Sequence, residues 1–218
     1  MAILSKKILL LALMAFVLLP GLVVAQNATQ GIDREMIEAD WLKQVESWRD
    51  VSSNSSKVLN THTDAAGAVD GVINGTYGFH TAGDPNPWWQ VDLEQPVSVA
   101  KIVVYNRLDY APGLHNADTM RVSVSDNGTD WTLIHDCAGK FFGGLHGEAP
   151  LQLAFKKGQL TTQFIRLQIP TDQSILFHLD EVEVYSHDNP DENIALWRPA
   201  NQSSICVWST AKVKKTPE

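Results

Sequence analysis

The strongest constraint in this sequence is a change of period. From about Val58 onward, apolar residues recur at every second position rather than every third or fourth. Met120-Arg-Val122-Ser-Val124-Ser125 alternates strictly, and so does Glu181-Val182-Glu183-Val184-Tyr185. Leu151-Gln-Leu153-Ala-Phe155 and Ile165-Arg-Leu167-Gln-Ile169 repeat the pattern. Successive side chains of a strand point to opposite faces, so this alternation describes sheets with one face on a core. Trp88–Leu93, Ala100–Tyr105 and Trp131–His135 read as further strands. Turn residues punctuate them at Asp70-Gly71, Asn74-Gly75, Asp84-Pro-Asn-Pro87, Asp126-Asn-Gly128 and Gly143-Gly144. Short strands at this spacing predict an all-β sandwich or barrel. No helical stretch separates them, which excludes a parallel βαβ sheet.

Within that frame, Trp89, Val91 and Leu93 share one face of a strand and are predicted core. Trp88 lies on the other face with Gln90 and Asp92, where it either packs or meets a ligand.

The residues ahead of the strands follow other rules. Lys6 and Lys7 precede the apolar run Ile8–Leu19, then Pro20-Gly21 and the small-residue exit Val23-Val24-Ala25. A positive start, a short apolar segment and small residues describe a signal peptide over 1–25. The run is too short to cross a bilayer, which takes about 20 residues. The chain is therefore expected to be secreted, extracellular or periplasmic, with no transmembrane segment. Residues 26–55 form an N-terminal helical segment, with a helix predicted over 32–50. That helix either packs across one end of the domain or stands as a short stalk. Asn27, Asn54, Asn74, Asn127 and Asn201 open Asn-x-Ser/Thr sequons, glycan acceptors in a eukaryote and plain turn residues in a bacterium. Cys137 and Cys206 fall in segments assigned to different modules, which favours two thiols over a bridge.

Charge narrows the partners. Lys+Arg 17 against Asp+Glu 25 gives a net charge of -8. Nucleic-acid binding and adsorption to an anionic membrane both lean on excess Lys/Arg, so neither is expected.

The strand pattern fills residues 56–187. The stretch 186–193 (SHDNPDEN) reads as a linker, and Ile194-Ala-Leu-Trp-Arg-Pro-Ala-Asn-Gln-Ser-Ser204 echoes Trp48-Arg49 and Asn54-Ser55-Ser56. Residues 188–218 are therefore read as a linker and the start of a truncated second module. The other possibility is that this tail folds back on the first domain.

Several segments together resemble a known family: Asp70-Gly71, Phe79-His80-Thr81, Asn86-Pro-Trp-Trp-Gln-Val-Asp-Leu93, Val103-Val-Tyr-Asn-Arg107, Phe164-Ile-Arg-Leu-Gln168 and Leu179-Asp-Glu-Val-Glu-Val-Tyr185. The set resembles the discoidin family, the coagulation factor five/eight type C domain, nearest its fucose-lectin branch. The resemblance implies an eight-stranded antiparallel jelly-roll β-sandwich whose loops at one end bind a glycan, or else a lipid head group or cell-surface protein. By the same resemblance, His80 and Arg107 would donate hydrogen bonds to a sugar, and Asp109 would hold Arg107. Arginine suits that role through its rigid fork of donors. A second basic residue of the fucose lectins is replaced by Leu114, beside His115, and their adjacent cysteines by Tyr110-Ala111. Removing one charged donor costs about 1–3 kcal/mol, which separates glycan binding from a fucose preference. Tyr110 would offer a stacking ring instead. The resemblance also implies a structural calcium held by Asp70, Glu181 and backbone carbonyls, in keeping with calcium's preference for oxygen. Against this stands the plain reading of Asp70 as a turn residue and Glu181 as a solvated strand residue.

Catalysis is not expected. Glu181 and Glu183 alternate with core valines and face no matched acid. The sequence carries no His-x-x-x-His zinc spacing, nucleophile elbow or phosphate loop. The expected activity is non-catalytic glycan binding. The alternatives are adhesion to protein or lipid through Phe141-Phe142, and targeting of a larger hydrolase.

Overall fold

The computed structural model describes residues 60–145 and 147–209. The predicted signal peptide, the helix over 32–50 and the boundary near residue 56 lie outside the described residues. Asn60 caps a one-turn helix, α1 (Thr61–Ala65), accepting from the amides of His62 and Thr63. The hydroxyl of Thr63 accepts from the Asn60 amide in return, which closes a capping box.

Eight strands follow: β1 (Phe79–His80), β2 (Trp88–Asn106), β3 (Arg121–Ser125), β4 (Thr132–Asp136), β5 (Leu151–Ala154), β6 (Thr161–Gln168), β7 (His178–Ser186) and β8 (Ala200–Gln202). Every ladder between them is antiparallel. The fold is the antiparallel β-sandwich that the alternation predicts.

β2 joins the two layers. Its first half lies between β6 and β8, and its second half between β7 and β5. The sequence reads there as two strands, Trp88–Leu93 and Ala100–Tyr105; the structure makes them one strand of 19 residues. Its register shifts between Asp92 and Val97. Asp92 accepts from the Glu94 amide at 2.7 Å, Glu94 takes a positive φ of 65°, and Pro96 has no amide for the ladder. A bulge there bends the chain from one sheet into the other.

The core lies between the layers and follows the period-two pattern. Trp89, Val91, Leu93, Val122, Ile165, Leu167, Val182 and Val184 are all buried. Trp89 stacks on Phe79 at 5.8 Å and donates its indole N–H to the Ala65 carbonyl. Trp88, on the opposite face, lies 4.6 Å from the Arg166 guanidinium.

The tail departs from the predicted domain boundary at 188. Ala200, Asn201 and Gln202 pair with Val91, Gln90 and Trp89 of β2. The amides of Ile194 and Trp197 donate to the carbonyls of Val184 and Val69. Residues 193–209 are thus part of this sandwich rather than the opening of a separate module. The physical reason is the β2 edge, whose amides and carbonyls would otherwise be buried without partners.

Candidate functional site

Three chain segments far apart in sequence meet at one end of the sandwich. β1 pairs with β7 so that His80 lies opposite His178, with ring centroids 5.0 Å apart. β7 pairs with β2 so that Asn106 lies opposite Leu179, which brings Arg107 beside the two histidines. Tyr77, just ahead of β1, completes the group.

Arg107 is clamped rather than loose. Its guanidinium lies 4.7 Å from the Tyr77 ring centre and 4.9 Å from that of Tyr110. Its Nε donates to Asp109 Oδ1 at 2.5 Å. The side chain is 11% exposed. Stacking and the ion pair fix the plane of the fork, and the Asp109 bond uses only its Nε. Tyr77 also meets His80 edge-on at 5.3 Å, so imidazole, phenol and guanidinium form one packed set.

The histidines are held neutral. Burial, against a backbone hydrogen bond to Thr81 and with the Arg107 charge nearby, holds the pKa of His80 below its ordinary value. Burial, His80 and Arg107 take His178 down to about 3. Nδ1 of His80 lies 2.8 Å from the Thr81 carbonyl, which can only accept. Nδ1 therefore carries the proton, and Nε2 is an acceptor. The sequence expectation had His80 donating to a sugar; in the neutral ring with Nδ1–H on Thr81, the nitrogen left over is an acceptor. Both ring nitrogens of buried His178 have no partner among the described residues.

The loops around this mouth are fixed by backbone contacts. Asn106 donates through Nδ2 to the carbonyls of Leu114 and Phe142. Gly113 packs directly on His178, where an added Cβ would stand 2.7 Å from Nε2. Leu114 has no charge, and the neighbouring His115 is held by Asp118 at 2.9 Å and packs on Phe141. Phe142 is buried in the core, so the Phe141-Phe142 loop is a plug and not the projecting contact that adhesion would need.

Next to the mouth lies an acidic corner. Glu181 is wholly buried, which removes the alternative reading of it as a solvated strand residue. The register between β2 and β7 skips Asp180, a bulge that breaks the alternation, and the Asp70-Gly71 turn covers the site. Glu181 Oε1 accepts from the Gly71 amide at 3.0 Å, while Oε2 has no partner among the described residues. Burial, then the Asp70 carboxylate, push its pKa well above the ordinary value. Asp180 is occupied otherwise, accepting from the amides of Asn74 and Gly75. The Gly75 carbonyl in turn accepts from Leu108 and Asp109, which links this corner to the Arg107 loop. Among the described residues, no three His, Cys, Asp or Glu side chains gather as a metal set. A cation here would rest on Asp70, Glu181 and main-chain oxygens. An orphaned, buried carboxylate oxygen beside a second carboxylate fits such an ion.

The F5/8 type C domain family matches residues 50–179. The chain belongs to that family. This F5/8 type C chain is 24% identical over 148 residues to a fucolectin of Anguilla anguilla, covering 62% of this chain and 87% of that one. Among solved structures it is similar to a fucose binding module of Streptococcus pneumoniae, at 26% identity with 61% and 90% of the two chains covered and a TM-score of 0.47. It is also similar to the lectin domain of lectinolysin complexed with Lewis B antigen, at 27% identity, 60% and 90% coverage and a TM-score of 0.46. No helix among the described residues is long and apolar enough to cross a membrane.

Of the sequence-predicted residues, His80, Arg107, Asp109 and Tyr110 are brought together, and Asp70 and Glu181 meet in the adjoining corner. Sequence reasoning missed His178 and Tyr77. A histidine opening the strand that closes the family motif was a signal for the first; nothing marked Tyr77.

Proposed function

We propose that this F5/8 type C domain is a lectin-like, non-catalytic module that binds a glycan at the mouth formed by His80, Arg107 and Tyr110. One observation carries the reading: a neutral imidazole acceptor and an aromatic-clamped guanidinium donor sit side by side at a loop-lined end. A sugar offers vicinal hydroxyls that both donate and accept, and this pair supplies one partner of each kind. Tyr110, 40% exposed, offers an aromatic face for the ring's C–H side. The similarity to fucolectin supports the same ligand class. Asp109 is held by Arg107, and Asp64 by the His80 amide and Gln202, so the site is built to bind rather than to move protons. The signal-peptide pattern of residues 1–25 supports export. A calcium ion on Asp70, Glu181 and neighbouring carbonyls would tie the 67–75 loop to β7 and brace the mouth through Gly75.

The test is a glycan array followed by calorimetry on the strongest ligand. Binding of one or a few related glycans, abolished in Arg107→Ala with the thermal transition preserved, is expected. An Arg107→Ala protein that binds as well as the wild type refutes the site.

A further inference from the structure

We infer that Trp208 forms a second sugar subsite beside the His80–Arg107 mouth, taking the apolar face of the next pyranose along an oligosaccharide. The inference rests on the glycan reading above and adds a residue lying beyond the segment that matches the family.

Trp208 is 66% exposed, an unusual state for the largest apolar side chain, since burying such a ring is worth roughly 2–3 kcal/mol. A single exposed hydrophobe is ordinary by itself. This one is different because its backbone is pinned at the mouth. The Cys206 amide donates to the His80 carbonyl at 3.0 Å, and the Ser209 hydroxyl donates toward that carbonyl and Asp64. The Tyr77 hydroxyl donates to the Trp208 carbonyl at 3.0 Å. Tyr77 is the ring that clamps Arg107, so the indole is tethered to the same group that orients the guanidinium. The result is a largely exposed indole 6.5 Å from the His80 ring, inclined at 69°.

A rigid indole bordering a polar mouth is suited to the weakly polar C–H face of a sugar. It adds contact area at low conformational cost, because the ring has only two side-chain torsions and its main chain is already fixed. With the first sugar held by His80 and Arg107, the next residue of an oligosaccharide would take the indole, and a preference for longer ligands follows.

The experiment uses the full chain and two probe pairs, L-fucose with the Lewis b tetrasaccharide and D-galactose with lactose, measured by calorimetry. The wild type is expected to bind the larger member of at least one pair tenfold or more tighter than its monosaccharide. Trp208→Ala should remove most of that difference while leaving monosaccharide affinity within about twofold, and Trp208→Phe should restore it. The substitution keeps the carbonyl that Tyr77 bonds, so the tether survives. Equal loss for both members, or no loss for either, overturns the subsite and leaves the glycan reading standing. Absence of wild-type binding to all four probes, with Arg107→Ala indistinguishable from it, counts against both.

Discussion

Two arginines in this molecule are held by the same device and placed in different surroundings. Arg107 lies between Tyr77 and Tyr110, and Arg166 lies between Trp88 and Trp131, at 4.6 and 4.0 Å from their ring centres. Arg107 gives Nε to a carboxylate, whereas Arg166 gives both Nε and Nη2 to the side-chain Oε1 of Gln90. Arg166 sits in the middle of a sheet, opposite Gln90 and Ser123, where it fastens three strands. Arg107 sits just past the end of a strand, facing two neutral imidazoles. An aromatic clamp alone therefore does not make a binding site. What distinguishes the mouth is an arginine fork beside two imidazoles, with both ring nitrogens of His178 unpartnered among the described residues.

The comparison breaks most readily at Arg107. Arg107→Ala should lower glycan affinity by about 100-fold, roughly 2.7 kcal/mol, while Arg166→Ala leaves it unchanged. Equal effects in calorimetry would erase the distinction. Arg107→Lys should recover little, because an ammonium lacks the planar fork.

The mouth also titrates where the Arg166 patch does not. His80 and His178 have folded-state pKa values below the usual 6.5, and His178 reaches about 3. Below about pH 6.5 the unfolded chain takes up protons that the folded chain refuses, so stability is full above that value and falls as the pH drops. Arg107 opposes protonation of both rings, and Asp109 favours that of His178. Each strongly shifted histidine contributes up to about 1.4 kcal/mol per pH unit. From pH 6.5 to 5, denaturant melts should lose roughly 2 kcal/mol through His178, and His178→Phe should flatten that slope. A slope unchanged in His178→Phe would assign the loss elsewhere. Glycan affinity should fall as the pH drops below the ordinary histidine value, as protonation turns the His80 acceptor into a donor.

Arg166→Ala should destabilise the fold by about 1–2 kcal/mol through its lost stacking and hydrogen bonds, read as a lower denaturation midpoint with binding intact. Gly113→Ala should push His178 out of place and weaken binding a few-fold without unfolding the protein. The smallest effect concerns the acidic corner. Calcium should raise the melting temperature by about 2–4 °C over EDTA, the shift for roughly 1 kcal/mol in a domain of this size. Glu181→Gln should abolish that rise, and an identical response in the variant would dismiss the ion.

Alternation made most of the sandwich legible. It placed Trp89, Val91, Leu93, Val182 and Val184 in the core without any knowledge of their partners. It failed where a bulge shifts the phase. Asp180 is skipped in the register, which is why Glu181 reads as solvated yet is sealed under the Asp70 turn. Local pattern also hides a bend, so β2 reads as two strands. At the site, His80, Arg107, Asp109 and Tyr110 were legible through motif spacing. Tyr77, His178 and Trp208 were not, because strand pairing between distant segments creates their roles. The domain boundary misled for a related reason: composition marks 186–193 as polar, but only the vacant edge of β2 determines where the following strand docks.

That docking has a consequence for how the molecule is made. α1 meets β8 through His62 and the Ala200 carbonyl, and through Asp64 and Gln202, each pair 138 positions apart. Emerging from the ribosome, the growing polypeptide holds an open seam beside Trp89 until β8 is synthesised. Contacts of such long range form slowly and leave sticky edges meanwhile. Trp208 and two of the residues that pin it, Cys206 and Ser209, follow that strand, so this part of the recognition surface forms only once the segment docks beside β1.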